Sequence, residues 1–259
     1  MTTTRATMLS FVLLVSEWTA GEGASATSAE VTRRVRTQRA HSPPGIVQSN
    51  HHSNRNSIEH NAVNWESGKC AEIMLVRRKD WGARESKNVD YLRTNGGVTI
   101  VFYHHTEGLE CNSVETCAKI IRQWQDYHMD TKRWDDIAYN FVIGGDGRVY
   151  EGRGFNGIGA HTLSYNSKSV SLAFVGNFTF NVPNSKMLAA AGVLIECGVK
   201  SGKIQAKYSL HGQRDANLRD CPGEAFYALI QESTHFGGRL DPYIYTPRSG
   251  DLDEINTVQ

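Results

Sequence analysis

Val98-Thr99-Ile100-Val101-Phe102-Tyr103-His104 is the stretch on which the fold turns. β-Branched and aromatic residues fill it, and Asn95-Gly96-Gly97 precedes it as a turn signal, so it reads as a buried strand. His104 then stands at the strand's C-terminal end, where α/β folds commonly place ligand-binding groups. Downstream the pattern is α/β. Ser113 is a suitable N-cap for a helix carrying Val114, Cys117, Ile121, Trp124 and His128 on one face. Tyr139 to Ile143, the turn Gly144-Gly145-Asp146-Gly147, and Arg148 to Tyr150 read as a β-hairpin. Val170 to Val175 is a second buried strand, Ser185 to Cys197 a helix stopped near Gly198, and Glu224 to Glu232 a final helix. No internal repeat interrupts this order.

Upstream of Cys70 the character changes. Arg5, the apolar run Met8 to Ser16 and the small-residue pattern Ala24-Ser25-Ala26 read as an export signal over residues 1–26. The apolar run is about half of the ~20 residues that cross a bilayer, and no second hydrophobic span follows. Residues 27–69 are rich in Ser, Asn, His, Arg and Thr without apolar periodicity, which reads as a disordered linker or pro-segment. Residues 70–236 carry the globular pattern, and 237–259 read as a polar tail. The whole chain has 259 residues and a formal net charge of +1, which gives no sign of a nucleic-acid partner. The expected product is a soluble, secreted protein.

Five cysteines suit that compartment. Cys111 and Cys117 are close enough in sequence for a local bridge, and Cys70 and Cys197 could tie the domain's edge to a late helix. One cysteine is left over, and Cys221 in Asp220-Cys221-Pro222-Gly223 is the choice for it. Asn177-Phe178-Thr179 is an N-glycosylation sequon.

A set of motifs runs in order through this region: Arg78-Lys79-Asp80-Trp81, His104-His105-Thr106, Asp136-Ile137-Ala138-Tyr139-Asn140-Phe141 and Gly145-Asp146-Gly147. Tyr150-Glu151-Gly152-Arg153-Gly154, Gly159-Ala160-His161 and Cys221-Pro222-Gly223 complete it. Together they resemble the peptidoglycan recognition proteins, relatives of zinc amidases that cut between N-acetylmuramic acid and L-alanine. The resemblance covers about residues 70–236. It implies one domain with a mixed central β-sheet flanked by helices and a peptidoglycan groove on one face.

The resemblance also implies a chemistry. Catalytic zinc takes three protein ligands and an open water position, and lowers the bound water's pKa to about 7. The metal positions fall at His104, Gln213 and Cys221, and Tyr139 falls where the family keeps a tyrosine that assists the water and oxyanion. Arg219 stands where amidases usually carry Thr or Lys. Gln213 is the departure, because a neutral carboxamide is a poorer zinc ligand than imidazole. His211 lies on the same side of an extended segment but nearly 7 Å back, at ~3.3 Å per residue, which makes it a poor substitute.

Substrate contacts implied by the resemblance are His105, Thr106, His128, Trp134, Tyr139, Arg153, His161 and Asn166. Members favouring diaminopimelate peptides tend to carry Gly-Trp before Asp-Ile, whereas this chain has Arg133-Trp134. Arg153 is present to pair bidentately with the extra carboxylate of diaminopimelate. The expected function is secreted innate-immune recognition of bacterial peptidoglycan or its muropeptides, signalling through a partner or coating the cell wall. A zinc-dependent amidase that tolerates Gln213 or recruits His211 is the alternative, and a peptidoglycan-sequestering decoy the third.

Overall fold

The computed structural model describes residues 62–245. The export signal expected over 1–26 lies outside the described residues, as do 27–61 of the expected linker and 246–259 of the expected tail.

The strand quoted above forms as β2, Val98–His105, at the centre of the molecule's packing. Five further strands join it: β1 (Leu75–Val76), β3 (Phe141–Ile143), β4 (Val149–Glu151), β5 (Ser169–Phe174) and β6 (Ile204–Gly212). The sheet order is β1-β4-β3-β5-β2-β6. Only the β3–β4 hairpin is antiparallel, and every other neighbour pair is parallel, so the sheet is mixed. Three α-helices accompany it: α1 (Val114–Asp126), α2 (Ser185–Lys200) and α3 (Glu224–Gln231).

Strand alternation sorts the side chains onto two faces. Val101, Tyr103, Leu172 and Phe174 meet Met187, Leu194 and Ile195 of α2 and Phe226 and Ile230 of α3 in one cluster. Val142, Tyr150 and Ala173 meet Cys117, Ala118 and Ile121 of α1 in another. Burial on both faces explains why β2 and β5 are mostly apolar rather than alternating apolar and polar. His104 shares the register parity of Phe102, so it emerges on the α1 side, at the strand end.

Several boundaries differ from the sequence reading for physical reasons. Helix α2 continues through Gly198 to Lys200. Gly198 is there for close packing, since a Cβ would stand 2.7 Å from the Ile204 side chain and 3.0 Å from that of Phe155. The chain turns instead at Gly202, in the left-handed region at φ +68°. On α1, Ser113 does cap the helix, its hydroxyl accepting from Thr116 N–H at 3.3 Å. The buried positions are Cys117, Ala118, Ile121 and Gln125, while Val114 is exposed. Tyr139 precedes β3 rather than belonging to it.

Packed structure also continues on both sides of the expected domain bounds at 70 and 236. Trp65 stacks on Phe155 at 5.9 Å. Beyond 236, Gly237 N–H donates to Leu210 O and Ile244 N–H to Ala216 O. Disulfides join Cys70 to Cys197 and Cys111 to Cys117, and Cys221 is a free thiol.

Candidate functional site

A groove of about 620 Å³ opens at the C-terminal end of β2. One wall is α1 and the turn after it, presenting Ile120, Trp124 and Tyr127, and Leu109 also lines the groove. Its floor carries His105, Tyr139, Gln213, Arg219 and Cys221. An apolar, aromatic wall facing a polar floor suits a ligand with C–H faces on one side and hydrogen-bonding groups on the other.

His104 and Cys221 come together as expected. His104 Nδ1 lies 3.4 Å from Cys221 Sγ. Burial is the main cause pushing the imidazole down to about 3, with His105 adding to it. Burial likewise pushes the Cys221 thiol up to about 12. At neutral pH the contact therefore joins a neutral thiol to a neutral imidazole. Tyr139 stands beside them, its ring 5.5 Å from His104, with its hydroxyl raised chiefly by burial.

Two ligands of one tetrahedral zinc stand about 3.5 Å apart, from Zn–N and Zn–S lengths of about 2.0 and 2.3 Å, so this pair has the right spacing. The third position does not fit. Gln213 Nε2 donates to His161 O at 3.1 Å, turning the carboxamide to hold backbone. His211 offers no replacement: its Nδ1 bonds Gly238 O at 2.8 Å and its Nε2 pairs with Ser209 Oγ at 2.8 Å. Among the described residues no group of three His, Cys, Asp or Glu side chains could hold a metal ion. One imidazole, one thiol and one neutral carboxamide whose Nε2 holds backbone do not make a catalytic zinc site.

The expected substrate contacts divide. His105, Thr106 and Tyr139 line the groove. The Thr106 hydroxyl accepts from Gly176 N–H at 3.1 Å and donates to Glu107 O at 3.2 Å, so it also shapes the rim. His128 falls after α1, in the π turn Tyr127–Thr131, rather than on the helix face. Ala138 N–H donates to His128 Nδ1 at 3.2 Å, which leaves the neutral ring its proton on Nε2. Burial is the largest cause holding His128 down to about 4. Its ring stacks on Trp134 at 5.1 Å and meets Tyr139 edge-on at 5.7 Å, backing the tyrosine that lines the groove.

Arg153 and Asn166 serve the backbone. Arg153 donates from Nε to Ile137 O at 2.7 Å, and from its two terminal nitrogens to Ile158 O at 2.9 Å and Asp136 O at 3.3 Å. It lines a separate cavity with Arg78 and Asp136. The Arg153 fork ties loops together, and the guanidinium lining the groove is that of Arg219. Asn166 Oδ1 accepts from the backbone N–H groups of His161 and Thr162 at 2.9 and 2.8 Å. Arg133 adopts φ +63°, the left-handed backbone that glycine takes without cost. The backbone bends at this residue, directly before Trp134.

Trp124, Tyr127 and Leu109 are groove residues that the sequence reading missed or assigned to the core. The available signal was Trp124 and Tyr127, large aromatics three apart on a helix whose buried stripe is already supplied by Cys117, Ala118 and Ile121. The sequon residue Asn177 is exposed, and its Oδ1 accepts from Thr179 N–H at 3.0 Å.

The chain is similar to known proteins. The family profile described as N-acetylmuramoyl-L-alanine amidase matches residues 94–224. Peptidoglycan-recognition protein LB of Drosophila melanogaster is 42% identical over 167 residues, spanning 64% of this chain and 71% of that protein. Peptidoglycan-recognition protein SC1a of the same organism is 36% identical over 166 residues, spanning 64% of this chain and 89% of that protein. The crystal structure of tracheal cytotoxin bound to the ectodomain complex of peptidoglycan recognition proteins LCa and LCx is similar with a TM-score of 0.62 and 37% identity. That match covers 64% of this chain and 99% of the other.

Proposed function

This chain belongs to the peptidoglycan-recognition protein family and carries its N-acetylmuramoyl-L-alanine amidase domain, and on that premise we propose that it binds bacterial peptidoglycan fragments without cleaving them. The observation that carries this reading is the groove itself, whose aromatic wall and polar floor are intact while the third metal position is a carboxamide bonded to His161 O. The glycan's C–H faces pack on Trp124 and Tyr127, and the stem peptide's carbonyls and carboxylates meet Arg219, Tyr139 and His105. Tyr139 orients the ligand through its hydroxyl, and a site whose third metal position is a carboxamide holding backbone leaves the amide bond whole.

The protein acts outside the cell in innate immunity, presenting bound muropeptide to a signalling partner. Two disulfides support an oxidising compartment. No helix among the described residues is long and apolar enough to cross a membrane. N-glycosylation at Asn177 accompanies secretion. A zinc-dependent amidase is the second reading, favoured by the His104–Cys221 spacing of 3.4 Å.

Sedimentation of the full chain with insoluble peptidoglycan tests the binding claim, with cellulose as the control polysaccharide. Retention on peptidoglycan that falls on Trp124→Ala supports it. Equal retention on both polymers, or none, overturns it. Chelator-sensitive release of stem peptide would establish the amidase reading instead.

A further inference from the structure

We propose that Gln213 is a positioning residue: its carboxamide braces the segment carrying His161 and Thr162 against the end of β6 and holds the groove floor in shape without a metal. Gln213 begins the 3-10 turn that directly follows β6. From there its Nε2 donates to His161 O at 3.1 Å, across 52 residues of sequence. The next residue, Thr162, is fully buried. Its Oγ1 lies 3.3 Å from His104 Nε2 and 2.9 Å from His161 Nδ1, linking the segment to the end of β2. Asn166 closes the third side by accepting from both backbone N–H groups. The segment is therefore held by β6, by β2 and by its own loop.

The brace explains a substitution that otherwise looks like a loss. An imidazole at this position would give one nitrogen to a metal and keep a single N–H, whereas the carboxamide holds the His161 carbonyl with no metal present. It still lines the groove, so the metal's organising role passes to a hydrogen bond. The effect on binding rests on the peptidoglycan reading, whereas the brace does not.

The test uses the full chain in EDTA with two readouts, hydrogen exchange over residues 159–166 and calorimetric affinity for a muramyl tripeptide. Gln213→Glu keeps the shape but removes the N–H and sets a carboxylate against the His161 carbonyl. Exchange of the segment should rise at least about fivefold and affinity fall about fivefold, matching a hydrogen bond of about 1 kcal/mol. Thr162→Val should move both readouts the same way, and Thr162→Ser, which restores the hydroxyl, should return them. Unchanged exchange in Gln213→Glu overturns the brace. Faster exchange with unchanged affinity overturns its link to the groove. If the unaltered chain binds no muramyl tripeptide, the exchange arm still decides the brace and the peptidoglycan reading is what fails.

Discussion

Acidification from pH 7 to pH 5 should destabilise this protein steeply, because its imidazoles are buried. His104, His105, His128, His161 and His211 are each at most 7% exposed. In every one of them burial is the largest cause of a lowered pKa. The folded state resists taking protons that the unfolded chain accepts at about 6.5, so stability is full above that pH and falls as the pH drops toward the folded values. With folded values of about 3 for His104 and about 4 for His128, each contributes a loss of about 2 kcal/mol between pH 7 and pH 5. The pair removes about 4 kcal/mol, and the other three act in the same direction. Asp215, whose carboxyl is raised chiefly by burial, works in the opposite sense. A loss of that size is a large part of the ~5–15 kcal/mol that holds a domain together. Urea unfolding followed by tryptophan fluorescence at constant ionic strength measures it directly. His128→Phe should flatten the pH dependence by about 2 kcal/mol. An equal or higher urea midpoint at pH 5 would refute the reasoning.

Three further outcomes follow from the same geometry. Cys70→Ser opens a loop of 127 residues and should cost about 5 kcal/mol by chain entropy, read as a lowered urea midpoint at pH 7. Arg153→Ala removes three bonds to carbonyls and should cost about 3 kcal/mol without altering the preference between lysine-type and diaminopimelate-type muropeptides, which competition binding would reveal. Gln213→His should raise zinc affinity in calorimetry, since His104 and Cys221 already stand at ligand spacing, and no change would mean that the site departs from a metal centre at more than this residue.

Much of the fold was legible because its signals are local. β2 and β5 are apolar runs bounded by turn residues, Ser113 is a capping residue before a helical pattern, and the Gly144 to Gly147 turn marks the hairpin. The misread details share a cause: tertiary contacts overruled a local rule. Gly198 looked like a helix stop but fills a close approach to Ile204 and Phe155. Gln125 is polar yet buried on α1, because it bonds Arg84 N–H at 2.9 Å and Asp136 at 2.6 Å. Trp65 lay in a segment of linker composition yet packs on Phe155.

At the site, residue types predicted membership better than role. His104, Tyr139 and Cys221 converge as their motifs imply. Arg153 and Asn166 turned out to hold backbone, because a donor fork or a carboxamide oxygen reads the same in sequence whether it meets a ligand or a loop. The commitment of Gln213 to His161 O was invisible for the same reason, since its partner is a carbonyl 52 residues away.

Equilibrium dialysis of a soluble muropeptide against the full chain in the presence of zinc, with mass analysis of both compartments, tests the central claim most directly. The account predicts intact muropeptide concentrated on the protein side. Free stem peptide in the two compartments, or an equal distribution of uncleaved muropeptide, would contradict it.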